Sequence, residues 1–186
     1  MARFLVTGGA GFMGSHLVDA LLKQGHAVRV LDDLSNGVRE NLSPHVDLME
    51  GDVTNSCTVK QAFEDIDGCF HLAAIASVER SNREWLRTHE VNLTGTINIF
   101  DQARRLRSHR QIPVVYASTA AIYGNCAAVP IGEQNPAAPL SAYAADKAAC
   151  ELHARVAGAV HASQRLDCVS SIFMGPAKIP AHPTRV

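Results

Sequence analysis

The stretch TGGAGFMG, residues 7–14, follows the apolar run RFLVTGG (3–9) and opens a segment with helical periodicity. Gly8, Gly11 and Gly14 suit a tight turn, a close backbone approach to a pyrophosphate and close packing of a helix on a strand, in that order. The amide groups at the start of the helix would then face the phosphates. An ordinary turn between a strand and a helix is the alternative, so the surrounding sequence has to decide.

Short β-rich apolar runs alternate with stretches of helical periodicity along the rest of the chain, which predicts parallel βαβ units. Helices are expected around Leu17–Leu22, over 92–107 with Ile97 and Phe100 facing the sheet, and from about Ser141. The predicted fold is therefore α/β, a Rossmann-type doubly wound, mainly parallel sheet with helices on both faces. Six strands are predicted, at 3–9, 27–33, 46–52, 69–74, 112–118 and 166–173.

Composition limits the partners. The chain has 186 residues, with 17 Lys and Arg against 18 Asp and Glu, so the net charge of −1 does not favour nucleic acid. No apolar run approaches the ~20 residues of a membrane helix, and the N-terminus does not read as a secretion signal. The five cysteines include no CxxC pair and the histidines do not cluster, so we expect a reduced, cytoplasmic protein without a metal site.

Acidic residues follow the second and third predicted strands. Asp32 lies 24 residues after Gly8, where a carboxylate can accept hydrogen bonds from the ribose hydroxyls of an adenine dinucleotide. Because it would repel a 2′-phosphate, NAD is favoured over NADP. Asp33 could share this role, and Asp52 could reach the adenine edge. A turn or helix cap is the alternative interpretation of each.

A catalytic group is predicted from the stretch YAADK, which places Tyr143 and Lys147 four residues apart on one face of a helix. A lysine and a bound nicotinamide cation would lower the pKa of the phenol, so Tyr143 could act as a general base. Ser118 and Thr119 end the fifth strand, at the edge where open α/β sheets bind ligands. Serine hydrolysis is set aside, because ASTA is not a GxSxG elbow.

Together with LDDLSNG, GDV, HLAA, VNLTGT and YASTAAIYG, these motifs resemble the extended short-chain dehydrogenase/reductase family. The resemblance runs from Arg3 to about Asp167 and is strongest to the branch of NAD-dependent epimerases and dehydratases, in particular UDP-glucose and UDP-N-acetylglucosamine 4-epimerases. Sugar dehydratases usually carry an Asp-Glu pair where this chain has Ala120 and Ala121, which argues against dehydration.

The resemblance implies residue roles. Thr119 would hydrogen-bond the sugar 4-hydroxyl, Tyr143 would take its proton, and Lys147 would hold the nicotinamide ribose. Hydride would pass from sugar C4 to NAD and return to the other face of a rotated 4-keto sugar. Tyr143 and Lys147 would bind the cofactor as well. The other residues that the resemblance implies for cofactor binding are Gly8, Gly11, Phe12, Met13, Gly14, Asp32, Asp33, Asn36, Asp52, Val53, Leu72, Ala73, Ala74, Ala76 and Asn92.

The resemblance stops near the C-terminus. We expect an NAD-binding Rossmann domain over 1–167, and a last strand with an atypical tail over 168–186. The residues after the sixth predicted strand do not include the family's asparagine, and we expect its C-terminal substrate-binding half to be largely missing. Read one base earlier with GC-rich codons, residues 174–186 give a sequence similar to the family's continuation. We therefore hypothesise an out-of-frame deletion near Ser171.

Family members pair through the helix after VNLTGT and the helix that carries Tyr143, so a homodimer is expected with apolar contacts at Leu106, Leu152 and Val156. A core-facing role for each of the three is the alternative. The sequence thus predicts a nucleotide-sugar 4-epimerase. The alternatives are a truncated NAD-binding protein with little or no activity, another oxidoreductase or dehydratase of the same family, and, last, a regulatory Rossmann module.

Overall fold

The computed structural model of the chain describes residues 1–106, 112–127, 130–160 and 166–169. Six parallel strands form one sheet in the order β3-β2-β1-β4-β5-β6. The predicted doubly wound α/β fold is confirmed, although each of the first five strands is shorter than the apolar run that predicted it. The strands are β1 (Arg3–Thr7), β2 (Ala27–Asp32), β3 (Asp47–Glu50), β4 (Gly68–His71), β5 (Val114–Ala117) and β6 (Leu166–Val169).

Helices cover both faces of the sheet. The helices are α1 (Phe12–Lys23), α2 (Ser56–Ala62), α3 (Val78–Arg83), α4 (Trp85–His89), α5 (Gly95–Arg105) and α6 (Ala142–Val160). A π-helical turn, Glu90–Thr94, joins α4 to α5. None of the described helices is long and apolar enough to cross a bilayer. Arg107 and the tail from residue 170, with its frameshift hypothesis, lie outside the described residues.

The sequence analysis did not predict the short helices α2 and α3, although each has a capping signal. Asn55 accepts hydrogen bonds from the backbone amides of Cys57, at 2.9 Å, and Thr58, at 3.2 Å. Ser77 accepts one from the amide of Arg80 at 3.1 Å. Side-chain oxygens at these positions satisfy amides that have no partner within the helix. Helices this short show too few turns for their periodicity to stand out.

Alternation along the strands divides the core into two layers. Leu5 faces α2, α5 and α6, whereas the next residue, Val6, faces α1. On α5 the core-facing residues are Ile99 and Phe100, with 0 % and 6 % of their surface exposed. The expectation that Ile97 faces the sheet is wrong, since Ile97 is only partly buried. It lies about 160° around the helix from Ile99, to the side of the stripe that packs on the sheet.

A buried histidine ties the sheet to the turn before α5. His71 hydrogen-bonds the hydroxyls of Thr7, at 2.7 Å, and Thr96, at 3.0 Å. The Thr96 hydroxyl donates its proton to the Asn92 carbonyl at 2.6 Å, so it must accept from Nε2–H of the imidazole. The Thr7 hydroxyl therefore donates to Nδ1 and accepts from the amide of Ala73 at 3.2 Å. Every polar atom in this chain of hydrogen bonds has a partner when the imidazole is neutral.

Burial and the positive charge of Lys147 lower the pKa of His71 to about 3. We therefore expect the ring to stay neutral in the folded chain as the pH falls from 8 to 5. Between the unfolded pKa of 6.5 and this folded value the unfolded chain binds a proton that the native chain does not. Stability should consequently fall as the pH drops below that unfolded value, by up to about 1.4 kcal/mol per pH unit.

Side-chain NMR of the imidazole across this range, alongside urea unfolding at each pH, measures both quantities. The chain unfolded in urea serves as the control, because there the same ring should titrate at its ordinary value. A His71 resonance in the folded chain that titrates near pH 6 would contradict the hydrogen-bond assignment.

Candidate functional site

A groove crosses the carboxyl ends of the strands at the point where the strand order reverses, between β1 and β4. Open α/β sheets bind ligands at such a switch point. The groove brings together part of the predicted cofactor set: Gly8, Gly11, Asp32, Asp33, Asn36, Asp52, Val53, Leu72, Ala73 and Ala74. It also contains residues that the sequence analysis did not single out: Leu31, Ser35, Gly37, Gly51, Ile75, Arg80, Arg87 and Val91.

Two glycines let backbone segments pack closely at one end of the groove. Gly8 has φ +69°, and a Cβ there would lie 2.7 Å from the amide nitrogen of Ala73 on the neighbouring loop. A Cβ on Gly14 would overlap the carbonyl oxygen of Gly8 and come within 2.6 Å of the Cα of Gly9. Only glycine fits both positions, so α1 can begin directly against the turn after β1. The amides of its first turn are thereby left beside the groove.

Asp32 ends β2 with its carboxylate fixed by the backbone. Oδ2 accepts a hydrogen bond from the amide of Ala10, and Oδ1 accepts one from the amide of Leu34, both at 2.9 Å. The side chain is 7 % exposed, and its remaining lone pairs border the groove. Asp33 is exposed, and its Oδ1 accepts hydrogen bonds from the amide and the hydroxyl of Ser35, at 3.0 and 2.6 Å. Asp32 is therefore the better placed of the two to hold a ligand.

Asp52 forms an ion pair across the end of the groove. Its Oδ2 accepts a hydrogen bond from Nη2 of Arg87 at 2.6 Å, and its Oδ1 accepts one from the amide of Thr54 at 2.8 Å. Burial acts to raise the pKa of Asp52, but the hydrogen bonds from Arg87 and Thr54 outweigh it and lower that pKa below its ordinary value. The carboxylate stays charged beside the groove.

Thr119, Tyr143 and Lys147 converge at the carboxyl end of β5. Thr119 caps a 3-10 turn, Ala120–Tyr123, by accepting a hydrogen bond from the amide of Ala121 at 3.2 Å. Its side chain also acts on the pKa of Tyr143 as a hydrogen-bond partner, which places the hydroxyl and the phenol close together. Lys147 is 3 % exposed and donates from Nζ to the carbonyl of Ala117 at 2.9 Å. A strand end and one face of α6 thus supply a hydroxyl, a phenol and an ammonium group.

The expected lowering of the Tyr143 pKa does not occur in the chain by itself. Burial raises the pKa of Tyr143, and the hydrogen bond from Thr119 opposes burial only in part. The ammonium group of Lys147 lies against the Ala117 carbonyl and does not offset the burial of the phenol. Burial therefore disfavours a phenolate at this position in the chain by itself.

Ser118 and Thr119 point in different directions because they are neighbours at the end of a strand. The Ser118 hydroxyl donates to Oε1 of Glu151 at 2.5 Å, so it faces α6 and the protein interior. Of the two, Thr119 is the residue whose side chain acts on the pKa of Tyr143. Glu151 was not predicted, although it lies two helical turns beyond Tyr143 on the same face of α6.

Seven predicted cofactor residues do not line the groove: Phe12, Met13, Gly14, Ala76, Asn92, Tyr143 and Lys147. Phe12 stands at the start of α1 with 65 % of its surface exposed. Asn92 is fully buried, and its side-chain amide makes two hydrogen bonds with the backbone of Ile75. Oδ1 accepts from the Ile75 N–H at 2.8 Å, and Nδ2 donates to the Ile75 carbonyl at 3.1 Å. In this structure Asn92 shapes the loop after β4, which lines the groove.

The chain also matches known proteins. A UDP-glucose 4-epimerase of Mycolicibacterium smegmatis is 41 % identical over 157 residues, which are 81 % of this chain and 50 % of that protein. The UDP-glucose 4-epimerase of Thermus thermophilus, solved in complex with NAD, superposes with a TM-score of 0.81 and 40 % identity. That match covers 90 % of this chain and 53 % of the other.

A UDP-N-acetylglucosamine 4-epimerase of Methanobrevibacter ruminantium M1, in complex with UDP-N-acetylmuramic acid, superposes with a TM-score of 0.79 and 35 % identity. The match covers 91 % of this chain and 53 % of that one. The chain therefore spans about half the length of the relatives it matches. Residues 4–177 match the NAD dependent epimerase/dehydratase family. With the groove and the Thr119, Tyr143 and Lys147 group in place, the family resemblance is confirmed, and the chain belongs to this family.

Proposed function

We propose that the chain binds NAD in the groove and carries the catalytic group of a nucleotide-sugar 4-epimerase of the UDP-glucose or UDP-N-acetylglucosamine type. The convergence of Thr119 with Tyr143, at the same sheet edge as the groove, is the observation that carries the proposal. The family and the 4-epimerases that the chain resembles support it.

The groove fits a dinucleotide by its shape and its polar groups. Gly8 and Gly11 carry no side chain at the turn after β1, so a pyrophosphate can approach the backbone amides there. Asp32 keeps lone pairs for the ribose hydroxyls, and its negative charge disfavours a 2′-phosphate. Asp52 and Val53 border the adenine end, and Lys147 would hold the nicotinamide ribose.

Bound NAD would supply a hydride acceptor and a positive charge. Tyr143 would take the proton of the sugar 4-hydroxyl, because that added charge offsets the burial that raises its pKa. Thr119 would hydrogen-bond the same hydroxyl and keep the phenol oriented. Ala120 and Ala121 carry no acidic group for the removal of water, which favours epimerisation over dehydration.

A second candidate is a chain that binds NAD but turns over little or no sugar. The groove and the catalytic group both lie within the described residues, whereas the relatives are about twice as long. Incubating the purified chain with UDP-glucose and with UDP-N-acetylglucosamine, followed by analysis of the C4 epimers, decides between them. Epimer formation supports the first candidate, and NAD binding without epimers supports the second.

Replacing Asp32 by Ala should weaken NAD binding about 100-fold and reduce the preference for NAD over NADP, because two ribose hydrogen bonds to a charged group and the repulsion of a 2′-phosphate are lost. Calorimetry with both nucleotides measures this. Asp33→Ala is the matched control, with a smaller effect expected because Ser35 already occupies that carboxylate. An unaltered chain that binds NADP more tightly than NAD would overturn the ribose assignment.

Tyr143→Phe should lower any epimerase turnover at least ~100-fold, since the ring is kept but the group that accepts the proton is removed. NAD affinity should change little, which separates loss of chemistry from loss of binding. Thr119→Val should likewise affect kcat more than NAD binding, whereas Lys147→Ala should reduce both. Turnover that survives Tyr143→Phe unchanged would mean that another group is the base.

We also propose a homodimer formed through α5 and α6. Leu152 and Val156 lie one turn apart on α6 and are 60 % and 58 % exposed, so they form an apolar stripe. Leu106, by contrast, packs against the chain's own core and is withdrawn from the proposed contacts.

The double variant Leu152→Glu with Val156→Glu should shift a dimer to monomer by placing charges in the paired stripe. Light scattering at micromolar concentration measures the mass. Val38→Glu, at another exposed apolar residue, is the control and should leave the dimer intact. An unaltered chain that is monomeric under these conditions would refute the dimer.

A further inference from the structure

The ion pair between Arg87 and Asp52 joins two segments that both line the groove. Arg87 lies on α4, and Asp52 lies in the loop after β3, 35 residues earlier in the chain. Their side chains are 40 % and 29 % exposed, so the pair stands at the rim of the groove. Arg87 also lies 3.5 Å from Oε2 of Glu90, on the π-helical turn that follows α4.

The pair leaves acceptor capacity on Asp52. An ionised carboxylate offers about four lone-pair positions on two oxygens. The amide of Thr54 occupies one position on Oδ1, and Arg87 occupies one on Oδ2. The Thr54 side chain is a further hydrogen-bond partner of the carboxylate, so roughly one position remains free by this count, on a side chain that borders the groove. A ligand group that meets it must be a hydrogen-bond donor.

Arg87 also determines the orientation of the carboxylate. The Thr54 amide belongs to the same turn as Asp52 and restrains only one oxygen. The hydrogen bond from Arg87, on α4, restrains the other oxygen of Asp52 and so fixes the plane of the carboxylate. The hydrogen bond from Arg87 is charge-assisted and therefore stronger than a bond between neutral partners. It also helps to keep the carboxylate ionised.

We propose that Arg87 is a positioning residue that fixes Asp52 as the acceptor for the exocyclic amino group of adenine, and so sets the base selectivity of the cofactor site. This inference rests on the proposed binding of NAD. Adenine presents a donor at its 6-position. A base with a carbonyl there would place an acceptor against a fixed carboxylate, which repels it.

The test compares NAD with the NAD analogue in which hydrogen replaces the 6-amino group of the adenine. Binding of both is measured by calorimetry for the unaltered chain and for Arg87→Ala, Arg87→Lys and Arg83→Ala. Arg83 is the matched control, because it pairs with Glu84 and is 69 % exposed but does not line the groove. Nicotinamide mononucleotide, which lacks the adenosine, serves as a third ligand.

The unaltered chain and Arg83→Ala should bind NAD about tenfold more tightly than the analogue, the value of one hydrogen bond to a charged group. In Arg87→Ala this ratio should fall below about three, because NAD affinity drops while affinity for the analogue and the mononucleotide stays nearly constant. Arg87→Lys should restore part of the ratio, since an ammonium group can hold one carboxylate oxygen.

An unchanged ratio in Arg87→Ala, with or without an equal loss of both affinities, would overturn the inference while leaving NAD binding intact. An equal fall of the ratio in Arg83→Ala would also overturn it, because the effect would then be one of general charge. Failure of the unaltered chain to bind NAD would overturn the proposed function and this inference together.

Discussion

The groove depends on a close backbone contact between two glycines, Gly8 in the turn after β1 and Gly14 in the first turn of α1. Because neither residue has a Cβ, α1 begins against the turn after β1, and that turn lies against the loop after β4. This placement brings the amide of Ala10 within 2.9 Å of Asp32, which holds the carboxylate at the end of β2. A methyl group at Gly8 would push the turn after β1 away from the loop after β4, and one at Gly14 would push the start of α1 away from that turn. The polar groups beside the groove would then lose their arrangement.

Buried hydrogen bonds also fix the loop after β4, which lies beside the turn after β1. His71 connects the hydroxyl of Thr7, beside the loop after β4, to Thr96 at the start of α5. Asn92 holds the backbone of Ile75 from the other side of that loop. Buried networks of this kind are stabilising only when every member is satisfied, so they specify a single arrangement of the loop. The groove is shaped by side chains that a bound ligand would not touch.

Local patterns sufficed to predict the strands, α1, α6 and the residues that follow the strand ends. Short apolar runs, helical periodicity and the spacing of glycines depend on the local backbone conformation alone. They could not predict contacts between distant segments. The Arg87 and Asp52 pair spans 35 residues, and the Ser118 and Glu151 contact spans 33. The environment of Tyr143 could not be predicted for the same reason: the sequence showed a nearby lysine, whereas the burial that raises the pKa of Tyr143 is a property of the folded chain. Ile97 was misplaced because apolar character alone did not reveal which α5 face meets the sheet.

The π-helical turn, Glu90–Thr94, has a consequence for how this segment tolerates changes in length. Such a turn holds about one residue more than the α-helical turn it replaces. Removing one residue from it would restore a regular helix and leave α4 and α5 in nearly the same relative orientation, because the wider turn already absorbs the extra residue. Ile99 and Phe100 would stay in the core, and Arg87 would keep its place at the groove. The same deletion within α5 would rotate every following residue of that helix by about 100°, so the π-helical turn is the part of this segment that best tolerates a change in length.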